Sequence, residues 1–171
     1  MIRNIWNKIF WKSGINIKGD QVSLKRGIIF QKQNLVIENY VHLGPNYYIH
    51  AGGGVHIGKG TIIGPKLKIW TVNHDYSSME ILPYNKNVIK GTVEIGEGCW
   101  IGLNVSICPN VKIGNGVIIA MGSVVTKDIP DFAIIGGNPA KILKYRYESE
   151  DQYLVLQNSI SQEKFYGKTY F

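Results

Sequence analysis

Cysteine is almost absent from this chain. It has two, Cys99 and Cys108, in 171 residues, too few for a disulfide framework and without the paired spacing of a zinc site. The histidines, His42, His50, His56 and His74, form no cluster with cysteine or carboxylate that would hold a metal. No stretch is apolar enough for a transmembrane helix, and the N-terminus lacks the uninterrupted apolar run and cleavage site of a secretory signal. These absences lead to the expectation of a cytoplasmic protein with no metal. Arg-rich runs and nucleic-acid motifs are also missing, which makes nucleic acid the weakest partner. Acidic residues are the scarcer sign, 12 against 19 Lys and Arg, leaving a net charge of +7. That balance suits nucleotide phosphates, an acidic glycan or a membrane surface, and suits plain solubility equally well.

What the chain does have is a period. Ile95, Ile101, Ile107, Ile113, Ile119 and Val125 recur at a strict spacing of six, and each is followed by a small residue: Gly96, Gly102, Cys108, Gly114, Ala120 and Thr126. Six matches neither the 3.6 of a helix nor a hairpin spacing; it is the signature of a parallel β-helix of hexapeptide turns. Three six-residue faces make one triangular coil. β-Branched side chains fill its interior, and the next residue sits at a corner where little side chain fits. Four residues after each of these, Cys99, Val105, Val111, Val117, Ser123 and Ile129 also point inward. A thiol in the slot of Cys99 is by default inert rather than nucleophilic.

Upstream the repeat is less clean. Ile57, Ile63 and Ile69 keep the spacing, Ile37, Leu43 and Ile49 form an earlier turn, and Gly52-Gly53-Gly54 adds two residues between them. Ile17 to Leu35 has the hydrophobicity of further strands in poor register, giving about five coils over residues 17–144. Residues 2–12 read as a short amphipathic helix within an N-terminal segment 1–16, with Ile2, Ile5, Trp6, Ile9 and Phe10 on one face and basic residues between. Two readings stay open for it: packing on protein, or a peripheral contact with the inner face of the cytoplasmic membrane. Residues 73–92 leave the repeat as a polar, turn-prone loop, the place in a regular scaffold where function concentrates. The repeat ends near Ile129-Pro130, and a final strand leaves by a Gly-Gly turn at Gly136-Gly137. The tail 145–171 reads as helical around 148–157 and carries no motif.

Three blocks follow the Asn73-His74 loop: Trp100-Ile101-Gly102, then Gly122 to Pro130, then Gly136-Gly137-Asn138-Pro139-Ala140-Lys141. In these the chain resembles the hexapeptide-repeat acyltransferases, closest to the galactoside and maltose O-acetyltransferases and the enzymes that acetylate bacterial polysaccharides. The resemblance implies an all-β, left-handed parallel β-helix, a homotrimer, and acetyl-CoA bound as co-substrate between adjacent prisms. It makes His74 the catalytic base and Trp100 a wall of the donor cleft. It makes Thr126 and Lys127 donor contacts, with Lys127 at nucleotide phosphate, and puts Lys141 and Lys144 near the end of the CoA, where the family often has Arg. Lys supplies charge there without a bidentate guanidinium contact. Leu103 stands where a small residue is usual and Met121 where Ala is usual, so Leu103 narrows the cleft while Met121 contacts the donor through its backbone.

Acetyl transfer from a thioester to a hydroxyl needs a base, oxyanion donors and alignment of two substrates. Neutral imidazole suits the first task, and His74 is the one histidine beside the excursion; His42, His50 and His56 lie in regular coils. Asn73, Tyr76 and Tyr84 are the acceptor candidates on the loop, and Trp70 flanks it, either to stack on a sugar or to pack on the next coil. Asn46 and Tyr47 lie near the family's sugar-binding coil, in shifted register. The expected function is acetyl-CoA-dependent O-acetylation of a sugar in surface-polysaccharide synthesis. Two others stand beside it: a xenobiotic acetyltransferase, whose loop Leu82-Pro83-Tyr84-Asn85 resembles, and a non-catalytic β-helix scaffold.

Overall fold

The structure, a computed structural model, describes residues 14–19 and 21–170. The amphipathic segment 2–12 lies outside them. The chain climbs in coils of three short strands. The first coil is β1 (Asn16–Ile17), β2 (Ser23–Leu24) and β3 (Ile28–Phe30), and the second is β4 (Leu35–Ile37), β5 (His42–Leu43) and β6 (Tyr48–His50). The third is β7 (Val55–Ile57), β8 (Ile62–Ile63) and β9 (Lys68–Trp70), followed by an arm of β10 (Val72–His74) and β11 (Val88–Lys90). The fourth is β12 (Val93–Ile95), β13 (Trp100–Ile101) and β14 (Ser106–Ile107), and the fifth is β15 (Val111–Ile113), β16 (Ile118–Ile119) and β17 (Val124–Val125). A partial sixth coil runs through Ile129 into β18 (Ala133–Gly137), which turns back as β19 (Ala140–Tyr145). Strands of successive coils pair in parallel to make three sheets of a left-handed β-helix, with β19 antiparallel on the edge of the second.

The interior is a ladder of aliphatic side chains. Ile37, Ile57, Ile95 and Ile113 stack on the first sheet, Leu43, Ile63, Ile101, Ile119 and Ile135 on the second, and Ile49, Ile69, Ile107 and Val125 on the third, all at most 2% exposed. Full burial of such a side chain contributes roughly 1.5–3 kcal/mol. The few buried polar groups are satisfied within the wall. Thr61 donates to the Gly96 carbonyl at 2.8 Å and accepts from the Cys99 amide at 3.1 Å. Ser123 donates to the Ala120 carbonyl at 2.6 Å. Cys99 is an inward wall residue whose thiol donates to the Gly114 carbonyl, and burial pushes that thiol up to about 12, which excludes it as a nucleophile.

Corners decide where the stacking is possible. A Cβ on Gly96 would lie 2.6 Å from the Gly114 carbonyl carbon of the next coil, and one on Gly102 2.7 Å from the Met121 amide. Each corner then needs a left-handed residue to turn the chain. At the first corner this column is Tyr40, Gly60, Gly98, Gly116 and Phe132, with φ between 58° and 68°.

Ile129 points inward as read, 8% exposed, but it takes the slot beside Ile113 rather than that beside Val111, because the corner at Asp128 is two residues short. Tyr47, in the coil that the resemblance sets near a sugar, points inward: it is 1% exposed, its ring fills the prism above Gly27, and its hydroxyl donates to the Lys25 carbonyl at 3.0 Å. Asn46 beside it is a corner residue at φ 63°. The poor register of residues 17–35 has a cause in the 3-10 turn Lys32–Asn34, which lengthens the first coil as Gly52–Gly54 lengthens the second.

The tail is more than the single helix expected around 148–157. It forms α1 (Glu150–Ser161), capped by Ser149, and α2 (Tyr166–Tyr170). It folds back over the first corner, where Gly60 and Gly98 leave a trough that Phe165 fills at 5% exposure, while Phe132 covers Gly116. Lys59 Nζ binds Glu163 Oε1 at 2.7 Å beside it.

Because Gly96 meets backbone and not a flexible side chain, Gly96→Ala is expected to destabilise the protein by roughly 1–3 kcal/mol. Gly54→Ala has no backbone close by but carries φ 102°, and is expected to cost about 1 kcal/mol from strain alone. Chemical denaturation of the two variants checks the order.

Candidate active site

The third corner carries the excursion. After Trp70 the chain turns at buried Thr71, whose amide donates to the His50 carbonyl at 3.1 Å and whose hydroxyl accepts from the Gly53 amide at 2.9 Å. This anchors the root of the arm to the coil below. β10 and β11 then leave as an antiparallel pair with His74 opposite Val88. His74 is exposed at the last paired position, and its imidazole lies flat on Tyr84, centroids 3.7 Å apart at 10°. A ring stacked by one face leaves its edge, which carries both nitrogens, outside that contact.

Asp75 holds the loop that delivers Tyr84. Its carboxylate accepts from the Ser77 hydroxyl at 2.6 Å, the Ser77 amide at 3.0 Å and the Asn85 side-chain amide at 2.9 Å. The Asp75 and Asn85 backbones also bond across the loop. These hydrogen bonds, Ser77 hydroxyl first and Asn85 next, hold the Asp75 carboxyl well below the usual carboxylate range. The stability they lend is present above the ordinary carboxylate pKa and is lost only in strong acid, so the loop stays closed throughout the range in which an imidazole titrates. Sequence reading named Asn73, Tyr76 and Tyr84 on this loop and missed Asp75 and Asn85, whose role is visible only once the two ends of the loop are paired.

The three acceptor candidates separate. Tyr84 stacks on His74; Asn73 lines a groove of about 380 Å³ on the third sheet with Tyr48, Lys68, Trp70, Ser106 and Cys108. Tyr76 stands 74% exposed on the loop, outside both, among the described residues. Trp70 is itself 45% exposed and parallel to Tyr48 at 5.7 Å, with His50 tilted against it at 4.9 Å. His50 Nδ1 also accepts from the Gly52 amide, and His56 pairs with Glu38 at 3.2 Å. Burial, helped by the Lys25 charge, pushes His42 below the ordinary imidazole value. All three sit in regular strands, as expected.

The residues expected to contact the donor fall on two corners of the prism and on its second sheet. Thr126 and Lys127 are exposed on the third corner, two coils beyond the arm of His74. Leu103 and Met121, 39% and 70% exposed, share the second corner, joined by the Gly122 amide to the Leu103 carbonyl at 2.8 Å. Trp100, 60% exposed, is on the outer face of the second sheet, at the wall of a cleft of about 590 Å³ closed by the tail. Lys141 and Lys144 are exposed on β19, which edges that same sheet. The structure thus sets His74, Thr126 and Lys127 at the third corner, Leu103 and Met121 at the second, and Trp100, Lys141 and Lys144 on the second sheet. Among the described residues no group of three or more His, Cys, Asp and Glu could hold a metal ion, and no helix is long and apolar enough to cross a membrane.

Comparison with known proteins agrees with this architecture. Residues 92–127, the fourth and fifth coils, match the bacterial transferase hexapeptide family of six repeats. The chain is 35% identical to the protein named as lipopolysaccharide biosynthesis O-acetyl transferase WbbJ of Escherichia coli, over 81% of this chain and 70% of that one. It is 45% identical to a chloramphenicol acetyltransferase of Klebsiella aerogenes over 39% of this chain and only 32% of that one. In fold it superposes on a hexapeptide-repeat acetyltransferase of Vibrio cholerae, solved with acetyl coenzyme A, at a TM-score of 0.76 and 23% identity, over 85% of this chain and 79% of that one. A repeat counted in sixes, a prism built from it and a relative matched along most of both lengths converge: the chain belongs to the hexapeptide-repeat acetyltransferases.

Proposed function

We propose that the protein transfers an acetyl group from acetyl-CoA to a sugar hydroxyl of a bacterial surface polysaccharide, with His74 as general base. The observation that carries the reading is the third corner, where His74 stands on a braced arm in line with Thr126 and Lys127. The long match to WbbJ, against the short one to the chloramphenicol enzyme, favours a glycan over a xenobiotic acceptor. A scaffold would need neither the clamped loop nor the exposed imidazole.

In this mechanism the His74 imidazole takes the proton of the acceptor hydroxyl as its oxygen attacks the thioester carbonyl. The tetrahedral intermediate collapses with cleavage of the C–S bond. The imidazolium returns its proton to the leaving thiolate, giving the acetyl ester and free CoA thiol. We take the transfer to be direct, with no acyl-enzyme on Cys99, whose thiol is buried and protonated. In a homotrimer the Trp100 side of one prism faces the His74 side of its neighbour, and the cationic Lys127, Lys141 and Lys144 receive the CoA phosphates. An acetyl-CoA donor fits the reading of a cytoplasmic reaction.

Release of CoA thiol with free sugars, glycan fragments and chloramphenicol as acceptors tests the reading; transfer to chloramphenicol alone refutes it. His74→Ala is expected to lower kcat by about 10²–10⁴ with acetyl-CoA affinity nearly intact, measured by steady-state kinetics and calorimetry. Asp75→Ala keeps the base and loosens its support, so kcat is expected to fall by about tenfold, with the thermal midpoint shifted by no more than about 2 °C. Lys141→Ala together with Lys144→Ala is expected to raise KM for acetyl-CoA more than it lowers kcat, and added salt to weaken donor binding to the parent enzyme.

A further inference from the structure

The outer face of the third sheet holds a column of rings that the chemistry above does not use. Register puts Phe30 of β3 beside His50 of β6 and His50 beside Trp70 of β9. Tyr48 stands in the next column, one strand residue earlier in the outward set, with Ile28 and Lys68 as its neighbours. The rings touch in a continuous patch. Phe30 is 5.4 Å from Tyr48 and 5.6 Å from His50, and Trp70 closes it at 5.7 Å from Tyr48 and 4.9 Å from His50. Phe30, Tyr48 and Trp70 are nonetheless 42%, 36% and 45% exposed. Each holds its neighbour in place, so little side-chain entropy is left to lose when a ligand covers them.

Resting on the sugar reading, we propose that this ladder is an extended acceptor subsite that binds a glycan chain of about three rings, running away from His74 over the first three coils. Three features select a glycan. The ladder opens into the groove of about 380 Å³ in which Asn73, the neighbour of His74, meets Tyr48 and Trp70, so a chain lying on the rings delivers one end to the base. Polar groups stand at the upper end of the ladder: Lys68, Ser106 and Asn73 line the groove with Tyr48 and Trp70, setting hydrogen-bonding groups beside apolar ring faces, as a sugar chain requires. The length is the third feature. Coils rise about 4.8 Å each, so the patch extends well beyond one ring, which a free sugar or a single-ring drug leaves unused. Continuing the register upward through Cys108 places Thr126 above the groove, so donor residue, base and ladder follow one face of the prism.

The test uses the full-length enzyme with N-acetylglucosamine and its oligomers of two to four residues, galactose and its oligomers, and O-antigen fragments of one to three repeating units. Binding is read by saturation-transfer NMR and transfer by CoA thiol release. In at least one series, binding is expected to tighten by about tenfold or more between one and three rings and then level off, about 1.4 kcal/mol. Phe30→Ala, two coils from the arm root, is expected to abolish that gain while acetyl-CoA affinity stays as in the parent. Binding independent of length in every series overturns the inference, even if monosaccharides are acetylated, and leaves the sugar reading standing. Length-dependent binding with transfer only to chloramphenicol upholds the subsite and sinks the proposed reaction. A Phe30→Ala variant that changes oligomeric state in sedimentation velocity shows the face to be a subunit interface, and also overturns the inference.

Discussion

One constraint governs the molecule: each coil must lie directly on the one below. Backbone N–H groups reach carbonyls of the neighbouring coil, as Gly58 does to Ile95 and Gly96 to Ile113, both at 2.8 Å. That distance is possible only where the corners carry no bulk. The glycines at 44, 64 and 102, and at 58, 96 and 114, form vertical columns in which an added Cβ would strike the backbone one layer on. Interior side chains then have no choice of depth and pack as ladders. Everything exterior is placed by the same rule, since a residue's height and face follow from its position in the coil.

That rule explains how a loop can serve as the floor of a reaction site. The arm is rooted at a corner held by Thr71 to the coil below, and its own geometry is fixed by Asp75 bridging Ser77 and Asn85. The prism supplies position and the carboxylate supplies shape. Neither the loop alone nor the repeat alone would set an imidazole flat against a tyrosine.

How much of this could be read from the sequence depends on the range over which each feature is encoded. The hexapeptide period, the inward residues, the arm and the place of His74 on it were legible because each is written within one coil or one loop. Ile129 was placed in the wrong slot because a corner two residues short cannot be seen without its partner strand. The inward place of Tyr47 was not legible because an aromatic is unusual inside a narrow prism; it fits only because Gly27 below it has no side chain. The ring ladder was missed for a related reason. Phe30, His50 and Trp70 recur every twenty residues, while the clean part of the repeat has a coil of eighteen. The longer coil comes from the 3-10 turn at Lys32–Asn34 and the Gly52–Gly54 run, and a search at a spacing of twenty finds the rings. The spread of the expected donor contacts over two corners and the second sheet was hidden because a family motif does not say which face each residue is on.

The return of the tail over the first corner changes what kind of solid this is. Solenoids are held by neighbour-to-neighbour interfaces, so a stack of coils tends to fray from its ends in steps. Here Phe165 and Glu163, at the end of the described chain, are fastened to Gly60 and Lys59, two-thirds of the sequence earlier. The second half of the stack is thereby closed into a loop of contacts rather than left as an open row. Opening the last coil must disturb the third, and the columns of coils between them yield together, as a clasped book opens and an unbound sheaf does not.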